Sequence, residues 1–306
     1  MPKFSLERSI AIKAPAASVF SNVKDFRNWV NWSPWILAEP GCQIEYADDG
    51  NSYSWSGDII GAGGMEVRDL VPDEEIRYRL TFLKPFKSVS SVSFRFRECN
   101  EETITSWSMS GSLPFFFFWM KRTMVASISR DYDRGLRMLK DEIERGQVPS
   151  QLRFAGFEKV EGFPYFSVSG ECSLAAISQR LGADMQEASA KLKNAGVALA
   201  GAPVCFYETF NVSEGVTRYR LAFPVGAGAT CPEGMETGAL PSLKAYAIHH
   251  TGPYRHLVNA WAAGMMHQRA KLFEMNKSVS PFEMYLGDPC EVPEESLLTK
   301  VYFPAK

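Results

Sequence analysis

The sequence predicts an α+β protein made of two successive antiparallel units, and three observations carry that expectation. The first half strings together short alternating stretches punctuated by turn residues and then runs into one long helical pattern ending near Arg145, the order of an antiparallel meander closed by a helix. The second half repeats itself: Ala202-Pro203-Val204-Cys205-Phe206-Tyr207 is echoed by Ser280-Pro281-Phe282-Glu283-Met284-Tyr285. About 20 residues after each copy comes Leu221-Ala222-Phe223-Pro224-Val225 or Val301-Tyr302-Phe303-Pro304-Ala305, so one strand-helix-strand-strand unit is used twice. Between the halves, Arg145-Gly146-Gln147-Val148-Pro149-Ser150 breaks the helix and reads as a linker, which gives domains of 1–147 and 152–306.

The elements of the first half follow in order. Phe4 to Lys13 alternates as a strand, and Ala14-Pro15-Ala16-Ala17-Ser18-Val19-Phe20 opens a short helix with proline in its first turn. A cluster of three tryptophans, Trp29, Trp32 and Trp35, comes next. Strands are expected around 43–46, 53–59, 64–70, 75–83, 88–98 and 102–110, with turns at Asp48-Asp49-Gly50, Pro72-Asp73 and Asn100. A helix from about 116 to 145 places Met124, Ile128, Leu136, Leu139 and Ile143 at helical spacing. This half holds no histidine; Asp58 and Glu66 are its candidate inward acids, against the plainer reading of a solvated strand face beside Arg68 and Asp69. The Phe115 to Phe118 run reads as core and cavity lining, or as a lipid-touching patch.

In the second half a helix is expected from about Ser173 to Ala195, ended by Gly196 in a left-handed position. The second copy has a strand at Lys244 to His249, the turn His250-Thr251-Gly252-Pro253-Tyr254, and a helix to about Asn276 whose stripe is Tyr254, Leu257, Trp261, Met265 and Leu272. Gly226 to Leu240, rich in glycine and alanine, is expected to be a long connection.

Composition narrows the function. A chain of 306 residues with 45% hydrophobic and 22% charged residues is ordinary for a globular protein, and a net charge of −2 offers no basic excess for a nucleic-acid partner. Aromatic content of 13% suits a ring-lined pocket. The six cysteines show no CxxC spacing, no signal peptide is read at the start, and no apolar run reaches the ~20 residues of a membrane span, so the expected location is the cytoplasm. No cofactor is expected. The histidines do not suggest a metal: His256 and His267 lie about three helical turns apart, roughly 16 Å, and His249 and His250 point to opposite faces of a strand.

Two family resemblances rest on these residues. Ile12-Lys13-Ala14-Pro15-Ala16-Ala17-Ser18-Val19-Phe20, the tryptophan cluster, Thr103-Ile104-Thr105-Ser106-Trp107 and Gly135-Leu136-Arg137-Met138-Leu139-Lys140 make the first half similar to the SRPBCC (START-like, polyketide-cyclase-like) superfamily. That resemblance implies a helix-grip fold, a curved sheet wrapped on the long helix around an apolar ligand cavity. Gly238-Ala239-Leu240-Pro241, His250-Thr251-Gly252-Pro253-Tyr254, Trp261, Pro281-Phe282-Glu283-Met284-Tyr285 and Val301-Tyr302-Phe303-Pro304 make residues 152–306 resemble the GyrI-like, or AraC-type effector-binding, domain. That resemblance implies two pseudo-symmetric units with a ligand groove between them. It also implies a family of sensing domains of bacterial transcription regulators, stand-alone binding proteins and hydrolases of reactive cyclopropane compounds. In drug-sensing members a glutamate meets cationic lipophilic ligands, and the matching position is Glu283.

Strand alternation supports the same residue. It sets Phe282, Met284 and Leu286 under the helices and turns Glu283 and Tyr285 the other way, toward the groove, with Cys205, Tyr207, Lys300 and Tyr302 on the groove side of their strands. The expected ligand-binding set is Glu283, Tyr285, Tyr207, Tyr302, Trp261 and Tyr254. Plainer roles stand beside it: an ion pair of Glu283 with Lys300 or an arginine, a core position for Trp261, and turn ordering for His250. The reading is a small-molecule binding protein for lipophilic ligands, cationic ones among the candidates, without a DNA-binding domain of its own. One alternative is a hydrolase with Glu283 as general base; another is a macromolecular interaction protein. Oligomeric state is not read.

Overall fold

The computed structural model describes residues 3–112, 119, 121–211 and 214–306. The Phe115 to Phe118 run therefore lies outside the described residues. The chain divides into two compact units, Met1–Pro149 and Ser150–Lys306. The α+β expectation holds in both.

In the first unit, β1 (Lys3–Ile12), α1 (Ala16–Lys24) and α2 (Trp29–Trp32) precede a run of six strands. These are β2 (Gln43–Tyr46), β3 (Ser52–Ser56), β4 (Ala62–Val71), β5 (Glu75–Lys84), β6 (Ser88–Cys99) and β7 (Glu102–Ser112), followed by α3 (Lys121–Arg145). Sheet order is β1-β7-β6-β5-β4-β3-β2, an antiparallel meander with the first strand folded back beside the last. The alternation of β7 places Thr103, Thr105, Trp107 and Met109 inside. There Trp107 stacks on Tyr132 of α3 with ring centroids 3.9 Å apart. Gly135 permits this approach, since a Cβ there would meet the Trp107 ring at 2.7 Å.

Trp29, Trp32, Phe94 and Tyr78 complete a buried aromatic cluster, with Trp29 and Trp32 centroids 4.6 Å apart. These rings occupy the space between the sheet and the later turns of α3, while Lys3, Phe4, Ser5 and Ser110 face Lys121, Arg122, Val125 and Ala126 across an open cleft of about 850 Å³ at the start of that helix. Glu66 is exposed and pairs with Arg68 at 2.9 Å, and Asp58 is also exposed, so neither acid faces the interior.

The second unit contains β8 (Gln151–Val160), β9 (Phe163–Ser173), α4 (Ile177–Asn194), β10 (Val204–Asn211), β11 (Val216–Pro224) and β12 (Glu236–Leu240). It continues with β13 (Leu243–Thr251), α5 (Val258–Arg269), β14 (Phe282–Tyr285) and β15 (Leu298–Pro304). The sheet order β12-β9-β11-β10-β14-β15-β13-β8 reads the same from either end: two strand-helix-strand-strand units meet at the antiparallel pair β10–β14. Matching hydrogen bonds flank that centre, from Tyr207 N to Pro281 O and from Tyr285 N to Pro203 O, each 3.0 Å. The helices end alike as well. Val197 N bonds Leu192 O after Gly196 (φ +69°), and Leu272 N bonds His267 O after Lys271 (φ +63°).

Three sequence expectations need correction. The last third of the Gly226–Leu240 stretch is β12, paired to β9 through Glu236↔Ser167 and Leu240↔Phe163. The second helix stops at Arg269 rather than near Asn276, because Lys271 turns left-handed. Its buried face is Asn259, Ala260, Ala263, Gly264 and His267, leaving Met265 and Leu272 exposed. Small residues win that face because the helix lies directly on Phe303: a Cβ on Gly264 would fall 2.1 Å from the ring.

Candidate functional site

The centre of the duplicated sheet brings four of the expected residues together. Cys205 and Glu283 are direct cross-strand partners on β10 and β14, so their side chains share a face. Tyr207 and Tyr285, two residues further along each strand, emerge on that same face. Trp261 comes down onto it from α5, as shown by its ring contact with Phe303 at 5.3 Å.

All three aromatic side chains donate to Glu283. Trp261 Nε1 reaches Oε1 at 2.5 Å, Tyr207 OH reaches Oε2 at 3.0 Å, and Tyr285 OH also donates to Oε2. Glu283 is 2% exposed, and no cation contacts it among the described residues. Burial pushes its carboxyl above the ordinary carboxylate range, while the three donors pull the other way. The charge of Glu283, added to their burial, raises the Tyr207 and Tyr285 phenols well above their usual range. The thiol of Cys205 is raised by its burial and by the same carboxyl charge, away from the thiolate form that a nucleophile needs.

The rim is aromatic. Tyr254 sets its ring edge-on to Tyr285 at 5.8 Å and Tyr207 stands edge-on to Trp261 at 5.0 Å. Tyr207, Tyr254 and Trp261 are each partly exposed, and Phe210, 52% exposed, lies against Tyr207, so aromatic rings alone stand between this side of the closed centre and solvent.

Two parts of the expected arrangement fail on strand parity. Phe282 pairs with Tyr302 and Met284 with Lys300, which puts Tyr302 and Lys300 on the face opposite Glu283. Tyr302 OH donates to Glu158 at 2.9 Å, and Lys300 Nζ sits 3.5 Å from the same carboxylate, so Lys300 is not the partner of Glu283. It is also Glu283 and Tyr285, not Phe282 and Met284, that lie under the helices; Phe282 joins Phe206 and Tyr302 in a separate apolar cluster on the other face. Alternation correctly separates the two sets but does not say which set the helices cover.

His250 is fully buried and bonds Ser150 Oγ through Nε2 at 3.1 Å, a contact 100 residues distant in sequence and invisible there. Among the described residues no group of three histidines, cysteines or acids is disposed to hold a metal ion, and no helix is long and apolar enough to cross a membrane.

Residues 3–144 match the family model for polyketide cyclase / dehydrase and lipid transport, and residues 156–306 match that for the GyrI-like small molecule binding domain. No curated protein matches the chain. Similar solved structures include the C-terminal domain of EcmrR, with 16% identity, covering 51% of this chain and 98% of that one at a TM-score of 0.44. They also include the Zhui aromatase/cyclase from Streptomyces sp. R1128, with 17% identity over 47% of this chain and 95% of that one at a TM-score of 0.38. Protein MLL2253 from Mesorhizobium loti shows 15% identity over 46% and 98% of the respective chains at a TM-score of 0.37.

Proposed function

We propose that the GyrI-like half binds a lipophilic cation, with Glu283 as its counter-charge and Tyr207, Tyr285, Trp261 and Tyr254 as its aromatic walls. The observation that carries this reading is a buried carboxyl held by three neutral donors with no cation beside it among the described residues. Removing a carboxylate from water costs several kcal/mol unless an opposite charge joins it. Hydrogen bonds to a charged group return about 1.5–3 kcal/mol each, and a guest cation supplies the charge that the protein omits. Aromatic faces add about 0.5–2 kcal/mol per cation–π contact.

The same donors weigh against a general base. Both tyrosines fill Oε2 and Trp261 Nε1 takes one acceptor site of Oε1, which leaves about one lone pair of the carboxylate open. With the side chain 2% exposed, a water to be activated has little access to that site. The role is therefore capture rather than turnover, by a protein that does not itself contact nucleic acid. Six free cysteines suit a reducing compartment such as the cytoplasm.

The test is a tryptophan-fluorescence titration with phenyltrimethylammonium, followed by mass spectrometry of the recovered compound. Saturable quenching with the compound recovered unchanged supports the proposal. A cyclopropane-bearing compound put through the same procedure and recovered heavier by one water would replace it with the hydrolase reading, and absence of binding would leave the macromolecular one.

A further inference from the structure

Beside the Glu283 pocket lies a second polar place that the fold has left unfinished. His250 on β13 and Thr299 on β15 are direct cross-strand partners, and Thr299 is in turn the partner of Tyr285 on β14. The three side chains therefore form one row under the helices, adjacent to the row that holds Glu283. The bond from Leu286 N to Leu298 O makes Tyr285 and Thr299 the closer kind of antiparallel pair, about 4.5 Å between Cα atoms. Glu283 and Thr299 are diagonal neighbours, about 7–8 Å apart.

Both His250 and Thr299 are 0% exposed. Yet His250 Nδ1 and Thr299 Oγ1 have no hydrogen-bond partner among the described residues. A buried donor or acceptor whose hydrogen bond is unmade is destabilising, because its lost hydration is not replaced. Two such atoms on directly paired residues of one row call for a polar group that the described residues do not supply.

We propose that His250 and Thr299 form a second anchoring point for the same bound molecule and recognise an uncharged hydroxyl on it; this rests on the Glu283 reading above. The chemistry selects that group. Ser150 holds Nε2 of His250, so Nδ1 is a donor or an acceptor according to the tautomer, and the threonine hydroxyl serves as either. A hydroxyl both donates and accepts, so it completes the pair in either tautomer. A carboxylate cannot donate and an ammonium cannot accept. Burial also keeps His250 neutral, pushing its pKa down to about 4, so an anion finds no charge to meet there. The ligand so described carries a cationic end at Glu283 and a hydroxyl one substituted benzene ring away.

The experiment compares phenyltrimethylammonium with (3-hydroxyphenyl)trimethylammonium on the full chain, wild type, Thr299→Val and Glu283→Gln, by calorimetry. The wild type is expected to favour the hydroxylated cation about five- to tenfold, and Thr299→Val to abolish that preference while leaving affinity for the parent cation unchanged. The variant should fold with an undiminished Tm, because the hydroxyl it removes has no protein partner among the described residues. Parent binding that depends on Glu283, with no preference for the hydroxyl in the wild type, would overturn this inference and leave the Glu283 reading standing; the pair would then hold buried water only. Failure of both cations to bind would overturn the two together.

Discussion

Cys205 and Glu283 stand opposite each other across the central strand pair, and they are also the equivalent residues of the two repeats. The pseudo-twofold axis of the domain thus passes between a thiol and a carboxyl. Tyr207 and Tyr285, related by the same axis, both bond the one acid. Duplication supplies two symmetric donors, and divergence at a single pair of positions gives them one acceptor. Two carboxylates at this centre would repel each other in a dry environment. The asymmetry is what makes one buried acid tenable.

The raised carboxyl of Glu283 fixes a sign for the pH dependence of stability. The folded state holds that proton more tightly than the unfolded chain does, so stability falls as pH rises from the ordinary carboxylate value toward the raised one. Glu283→Gln should remove this slope, since an amide oxygen accepts from Trp261 and its NH2 donates to the tyrosine oxygens. Denaturant melts of both proteins from acid to neutral pH check it; a parallel pair of curves would refute the burial argument.

His250 carries the opposite sign. Its pKa drops from 6.5 to about 4 on folding because burial disfavours the imidazolium. Its contribution, up to about 3 kcal/mol, is present above pH 6.5 and is lost as pH falls toward 4. His250→Gln should flatten the acid limb in that window, read from the same melts.

Trp261 is expected to be a binding group as well as a packing one. Trp261→Phe keeps a ring against Phe303 but deletes the donor to Oε1, and should weaken cation binding by about tenfold or more, the worth of a hydrogen bond to a charged group. Unchanged affinity would assign the indole to the core alone.

Close contact between α5 and the sheet is set by Gly264. Gly264→Ala places a methyl against Phe303 and should cost about 1–3 kcal/mol, seen as a lower midpoint in urea. A neutral result would show that the helix can lift away at no expense.

Thiol labelling gives a readout of access. Cys99 and Cys290 are exposed and should react quickly, whereas Cys205, fully buried beside Glu283, should be protected in the native state. Labelling of Cys205 at the rate of the exposed pair would contradict the closed centre.

Much of this was legible in the sequence, and the rest was hidden for identifiable reasons. Turn residues and alternation marked the meander strands closely, because each strand buries one face. The repeat located Glu283, Tyr285 and Tyr207 together, since equivalent positions meet at the axis of a duplicated sheet. Tyr302 was misplaced because the register between β14 and β15 pairs it with Phe282, and register is a long-range property. The burial of α5 on its small residues defeated an argument from large apolar ones, for the neighbouring Phe303 supplies the bulk. His250 and Thr299 were invisible as a pair because their meaning lies in bonds not made.

The most direct test pairs a charge on the ligand with the charge on Glu283. Calorimetric affinities of phenyltrimethylammonium and its neutral isostere tert-butylbenzene, each on wild type and Glu283→Gln, form a double-mutant cycle. Close buried charge pairs couple by about 1.5–7 kcal/mol, so the cation should lose at least about tenfold on Glu283→Gln while the isostere holds or gains. Equal changes for both compounds would mean that Glu283 senses shape rather than charge, and would contradict its assignment as the counter-ion of a lipophilic cation.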